Sequence, residues 1–183
     1  MSLAAVLLAL TGPAGSQSAR IPAAVQAALL AKVASFDRNF AARAGRRAVV
    51  LVVQAADNKE SSHDAASIAA ALGEIPLIGN LPHEEIPVTY RGAPALAELV
   101  RSKRAAIVYL GSGLSGQVGG IRDALNSVNV LTFGAVPEYV PSGVVLGVDL
   151  ISGRPKLLVN LAQAQKQQVV FPASVLNLMK VYQ

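Results

Sequence analysis

Gly111-Ser112-Gly113-Leu114-Ser115-Gly116 carries the most explicit chemical spacing in this chain. It reads G-x-G-x-x-G between an apolar run and a helix, an arrangement in which glycines let backbone N–H groups approach an anion near a helix N-terminus. Its position counts against a dinucleotide, because that fingerprint belongs to the first strand–helix turn of its fold and this one follows a later strand. The acidic residue expected about 20 positions on would have to be Glu138, which sits in the turn Pro137-Glu138-Tyr139 rather than at a strand end. Two readings stay open. Either Gly111, Ser112, Gly113 and Ser115 cradle a small anion or other small ligand, with Glu138 and Tyr139 at the carboxyl end of the next strand, or the six residues are a plain tight turn.

Other reactive types are sparse. His63 stands between Ser62 and Asp64 near a helix start, where all three read as capping residues. A Ser-His-Asp triad must meet in space, so adjacency in sequence is no signal for one. His83-Glu84-Glu85 offers ligand atoms on a proline-rich stretch, with no second histidine nearby. The eleven acids are scattered, without the poised pair that glycoside chemistry needs. Asp37-Arg38-Asn39, flanked by Phe36 and Phe40, allows two readings as well. It is a salt-bridged helix end, or an exposed recognition edge with an arginine and two aromatic anchors, the types that dominate interface hot spots. No motif commits the chain to catalysis, and none asks for a cofactor or a metal.

The elements that must position these residues follow from hydrophobic periodicity. Val25, Ala28, Leu29, Val33 and Phe36 recur at helical spacing after Pro22, which predicts a first helix from Ile21. Ala48–Val53, Ala105–Leu110 and Asn129–Phe133 are continuous apolar runs, the mark of strands covered on both faces. Between them lie a helix through Ile68 to Leu72 capped by Asn58 or Ser61/Ser62, an edge-type strand at Glu85–Tyr90 containing Pro87, and short helices at Pro94–Arg101 and Gln117–Ser127. Residues 74–82 read as loop. Val144–Ile151 and Pro155–Val159 predict a hairpin around Ser152-Gly153, and Asn160 caps a helix to Gln167. A last amphipathic helix after Pro172 should turn Val175, Leu178 and Met179 inward. The fold class expected is α/β, a Rossmann-like three-layer domain with a mainly parallel sheet, a C-terminal β-hairpin and closing helices.

Composition bounds the rest. The 183 residues suit one domain over residues 20–183, and the 52% hydrophobic share supports a core without disulfides. Cysteine is absent, which excludes thiol chemistry, thiolate metal sites and a lipoprotein anchor. The net charge of +5 is clustered at Arg43, Arg46, Arg47 and at Arg101, Lys103, Arg104, each just before an apolar strand. With no Trp and only four Phe and four Tyr, stacking platforms for nucleic acid are scarce, so these clusters read as solvated turns. Leu3–Leu10 is an apolar run followed by Ala14-Gly15-Ser16, the small-x-small spacing of a signal-peptidase site, although no Lys or Arg precedes the run. The expectation is a signal peptide over residues 1–19, export to the periplasm, and no transmembrane segment in the mature chain.

The C-terminal block Gly147-Val148-Asp149-Leu150, Gly153-Arg154-Pro155-Lys156, Val159-Asn160-Leu161 and Phe171–Met179 resembles the ending of YfiR-like (YfiR/HmsC, DUF4154) proteins. The segment Ala28–Phe40, with Leu29, Lys32, Val33, Phe36 and Arg38, is similar to the same family's opening helix. The resemblance implies a periplasmic, non-catalytic regulator with a Rossmann-like domain. Its implied partner is a membrane-bound sensor or diguanylate cyclase, in c-di-GMP and biofilm signalling; the recognition-edge reading of Phe36, Asp37, Arg38, Asn39 and Phe40 would supply the surface for it. Self-association into a homodimer is a further expectation. The disulfides of the best-known member have no counterpart here. The middle of the chain, Gly134–Asp149 above all, also looks like one lobe of a type I periplasmic binding protein, which implies the alternative of small-ligand binding.

Overall fold

The three apolar runs build the centre of one sheet, because runs without polar alternation can rest only where both faces are covered. In the computed structural model, which describes residues 21–183, they become β1 (Ala48–Gln54), β3 (Ile107–Leu110) and β4 (Leu131–Gly134). With β2 (His83–Thr89), β5 (Leu146–Ile151), β6 (Arg154–Asn160) and β7 (Lys180–Tyr182) they form a seven-stranded sheet in the order β2-β1-β3-β4-β5-β6-β7. Strands β2 to β5 pair in parallel. The β5–β6 hairpin is antiparallel, and β7 returns parallel to β6. The α/β, mainly parallel architecture is therefore as the sequence implied. The segment expected to be a signal peptide, residues 1–19, lies outside the described residues.

Side chains alternate between two packed layers. Val50, Val52, Ile107, Tyr109, Leu131 and Phe133 pack with α1 (Ala23–Ala34) and α3 (Lys59–Gly73) on one face. Leu51, Val53, Val108 and Leu110 meet α4 (Ala93–Lys103) and α5 (Val118–Leu125) on the other. Every one of these strand residues is essentially inaccessible. Burying such a side chain stabilises by roughly 1.5–3 kcal/mol, so the sheet is the part least able to move. Pro87 sits in β2, at the edge of the sheet, where its missing N–H breaks no ladder.

Three local expectations change. The connection after α1 contains a short helix, α2 (Phe40–Ala44), whose buried residue is Phe40. Asn58 alone caps α3, accepting from the Ser61 N–H at 2.9 Å, while Ser61 itself turns into the core. The chain end also differs: after α6 (Leu161–Lys166), capped by Asn160, the closing helix is the single turn α7 (Ala173–Leu176) and the chain then enters β7. Helical periodicity therefore fails beyond Leu176. Met179 is buried, but Leu178 is 69% exposed instead of inward.

That difference is measurable. Met179→Ala should cost about 2–3 kcal/mol in urea unfolding, since it removes buried volume. Leu178→Ser should stay within about 0.5 kcal/mol of the parent; a helix continued to Met179 would make the two changes comparable.

Candidate functional site

Open α/β sheets bind ligands in the crevice outside the carboxyl ends of their strands. Here the glycine-rich turn follows β3, the 3-10 turn Pro137–Tyr139 follows β4, and the first turns of α3 stand beside them. A cavity of about 950 Å³ lies among these parts, walled also by Ile21 and Gln26 near the start of the described chain and by Val148–Leu150 of β5. Its volume is within the range of small-molecule sites, roughly 300–1,000 Å³.

The turn is held from beneath. Tyr139, buried to 1% exposure, accepts the Leu114 N–H at 2.8 Å and donates to the Gly111 carbonyl at 3.2 Å. Ser61 receives the Ala55 N–H at 2.8 Å and donates to the Ser112 carbonyl at 2.6 Å. Gly111 donates to the Val53 carbonyl at 2.8 Å. The Ser112 hydroxyl donates to Asp64 at 2.5 Å. Burial pushes the Tyr139 hydroxyl up, partly offset by its hydrogen bonds from Leu114 and Ser115, so it stays a neutral strut. Tyr109 is driven further up by burial, then by the Asp64 charge, and donates to Gln26 at 2.8 Å while stacking on Phe133 at 5.7 Å.

Sterics explain the first two glycines without a phosphate. A Cβ at Gly111 would stand 2.8 Å from the Val53 carbonyl oxygen, and Gly113 has φ +79° with a Cβ position 2.8 Å from the Asn58 side chain. Gly116 meets nothing within 4 Å. In a dinucleotide fingerprint the third glycine permits close helix–strand packing, and no such packing is present here. Electrostatics oppose an anion as well. Glu60, Asp64, Glu138 and Asp149 line the cavity with His63, and among the described residues no Lys or Arg does. A mouth of one negative sign disfavours phosphate and favours neutral or cationic groups.

Of the residues named from sequence for ligand binding, Ser112 and Glu138 reach the cavity wall. Gly111, Gly113, Ser115 and Tyr139 build the turn behind it. Glu60, His63, Asp64 and Ser67 line the cavity, where sequence reasoning took His63 and Asp64 for caps. Their spacing was the missed signal: positions i, i+3, i+4 and i+7 share one helix face. Among the described residues no group of three or more His, Asp or Glu is arranged to hold a metal.

The segment named for partner binding divides in two. Asp37 is interior: its carboxylate accepts the Asn39 N–H at 3.1 Å, the Val170 N–H at 3.0 Å and Arg43 Nη1 at 2.6 Å. Arg43 also donates to Asn129 and to the Gln168 carbonyl, as does Asn39. Phe40 packs in the core under Gly79. Asp37 and Phe40 are therefore not an exposed edge, because a charge-paired carboxylate and a core ring cannot meet a partner without unfolding this corner. Phe36, 39% exposed, and Arg38 remain outside, beside Val170 at 40% exposure, with the Arg38 N–H donating to the Val170 carbonyl.

A doubly wound, mainly parallel sheet in the order β2-β1-β3-β4-β5 with a cavity at its strand ends defines a Rossmann-like α/β domain. The chain matches the family described as DUF4154, YfiR/HmsC-like, over residues 23–180, and it belongs to that family. No curated protein matches it. Among solved structures it is similar to a Streptococcus pneumoniae ABC domain in complex with L-Trp, with 13% identity, TM-score 0.59, and 88% of this chain against 62% of that one. It is also similar to a conserved domain protein of Vibrio cholerae, with 13% identity, TM-score 0.56 and coverage of 74% and 54%. A third likeness is a ligand-free, open substrate-binding protein with adhesive properties from Clostridium difficile, with 10% identity, TM-score 0.54 and coverage of 79% and 57%. The chain thus spans less than two thirds of these structures, and at such identities they show the fold alone. No helix among the described residues is long and apolar enough to cross a membrane.

The two supports have separable costs. Tyr139→Phe leaves the Leu114 N–H buried and unpaired and should destabilise by about 1–3 kcal/mol. Asp37→Ala strands Arg43 and should cost about 3–5 kcal/mol. Urea unfolding monitored by circular dichroism checks both.

Proposed function

We propose that this chain is a periplasmic, non-catalytic regulatory module that works by binding a membrane-bound sensor or diguanylate cyclase, and so acts in c-di-GMP and biofilm signalling. Membership of the YfiR/HmsC-like family over residues 23–180 carries this reading. The fold supplies a surface suited to it: an aromatic, an arginine and an aliphatic residue, Phe36, Arg38 and Val170, stand exposed on a corner fixed from inside by Asp37 and Arg43. Aromatic and arginine side chains on a rigid frame lose little freedom on binding, which is what makes them effective anchors.

The experiment is done in the native host, with its membrane-bound diguanylate cyclases intact. Deleting the gene should raise cellular c-di-GMP, and the parent protein should lower it again. Phe36→Glu and Arg38→Glu, exposed changes that keep the parent's melting temperature, should fail to lower it. Full repression by both variants would remove this surface from the reading, and an unchanged c-di-GMP level on deletion would remove the reading itself.

One observation favours a second reading, the cavity at the ends of β3 to β5. In it the chain is a small-ligand-binding lobe, and the carboxylates around the mouth select neutral or cationic molecules over phosphates. A thermal-shift screen tests this. A saturable rise in melting temperature that is lost in Asp149→Asn supports it, since a ligand at 100 times its Kd adds about 2.7 kcal/mol.

A further inference from the structure

The two ends of the sheet carry opposite charge. Outside the carboxyl ends of β3 to β5, Glu60, Asp64, Glu138 and Asp149 line the cavity. Outside the amino ends stand cations. Arg46 and Arg47 lead into β1, and Arg101, Lys103 and Arg104 lie at the close of α4, just before β3. Lys166 ends α6, and its carbonyl accepts the Ser127 N–H on the approach to β4. Parallel pairing sets these three entries side by side, with Val50 opposite Ile107 and Ile107 opposite Leu131. Arg38 belongs to the same end, because its corner is tied through Arg43 to Asn129, just before β4. Apart from Arg43, every one of these cations is exposed.

We propose that this end is a docking face for an anionic phospholipid bilayer, with Arg46, Lys103, Arg104 and Lys166 as its main contacts. The ion pairs single these four out. Arg47 is paired with Glu84, Arg101 stands 4.0 Å from Glu98, and Asp123 in the last turn of α5 is held by Arg122 at 2.8 Å. Glu85 is turned to His83. Among the described residues Arg46, Lys103, Arg104 and Lys166 make no ion pair, and against them stands Glu74 at the exit of α3.

The arrangement suits a flat anionic surface. The four cations come from three separate turns at one level of the sheet, so a plane can meet them together. Each Lys or Arg brought to an anionic bilayer strengthens binding about fivefold. Nucleic acid is served less well, because residues 44–48, 99–106 and 165–168 contain no aromatic ring on which a base could stack. Arg104 adds an independent mark. It closes α4 in left-handed backbone, with φ +51°, at a position where glycine is the favoured residue. The chain keeps a cation where folding alone would select none.

Docked on this end, the protein turns its cavity away from the bilayer and holds Phe36 and Arg38 beside it. The inference needs lipid alone, so it stands whether or not the protein partner of the proposed function exists.

Vesicle co-sedimentation of the purified protein tests this, with vesicles of equal parts phosphatidylglycerol and phosphatidylcholine against phosphatidylcholine alone. Binding is expected to the anionic vesicles only. It should hold at about 0.1 M salt and vanish at about 1 M, where the screening length falls from about 10 Å to about 3 Å. Arg46→Gln and Arg104→Gly should each weaken it about fivefold. Arg104→Gly also relieves the left-handed backbone, so a melting temperature at or above the parent's separates lost charge from lost fold. Arg91→Gln, which removes an exposed charge at the opposite end just past β2, should bind as the parent does. No binding to anionic vesicles overturns the proposal, as does binding that survives about 1 M salt or that weakens equally in Arg91→Gln. Capture of single-stranded DNA by a protein that ignores the vesicles would overturn it in favour of nucleic acid.

Discussion

Asp37 places a carboxylate where water does not reach, and the outer layers of the fold are organised around satisfying it. An uncompensated charge at such a position would be prohibitive, so its three donors are obligatory partners. Two are near in sequence, Asn39 just before α2 and Arg43 within it, and the third, Val170, comes from the segment between α6 and α7. Arg43 extends the tie to Asn129, just before β4. One ion pair thereby fastens the beginning of the domain to its end and holds both against the sheet. The same requirement sets what is displayed. With Asp37 and Phe40 drawn inward, Phe36 and Arg38 are turned outward on a frame that cannot relax.

The strand-end region obeys a parallel logic. The glycine-rich turn would expose several peptide groups, and Tyr139, Ser61 and Val53 take them up from behind. Its glycines answer to backbone crowding rather than to a phosphate. The turn then serves as a rigid rim, with Ser112 fixed on Asp64, for a cavity whose charged lining comes from α3, β5 and the turn after β4. Rigid scaffold and polar rim are what a binding domain needs.

Much of the architecture was legible because it depends on short-range pattern. Uninterrupted apolar runs identified the buried parallel strands, Pro87 marked the edge, and Ser152-Gly153 placed the hairpin turn. The family was legible too, from the Asn160-centred C-terminal block and the opening helix. What escaped depends on contacts far apart in sequence. Whether Asp37 faces water or a guanidinium is decided by Val170, 133 positions away, and no local pattern shows that. Leu178 was misplaced because helical spacing was extended past Leu176, over the turn 177–179 that leads into β7. His63 and Asp64 read as caps because their helix-face spacing with Glu60 and Ser67 gains meaning only once β3 and β4 supply the opposite wall.

The central proposal is that this fold presents Phe36 and Arg38 to a membrane-bound protein. Photo-crosslinking in intact cells, with a photoreactive amino acid at position 36, tests it most directly. The account predicts a crosslink to an integral membrane protein from position 36 and none from a control position in the buried sheet such as 51. A photoreactive group at position 36 that captures no membrane protein, in cells where the chain is folded and its cyclase is present, would contradict it.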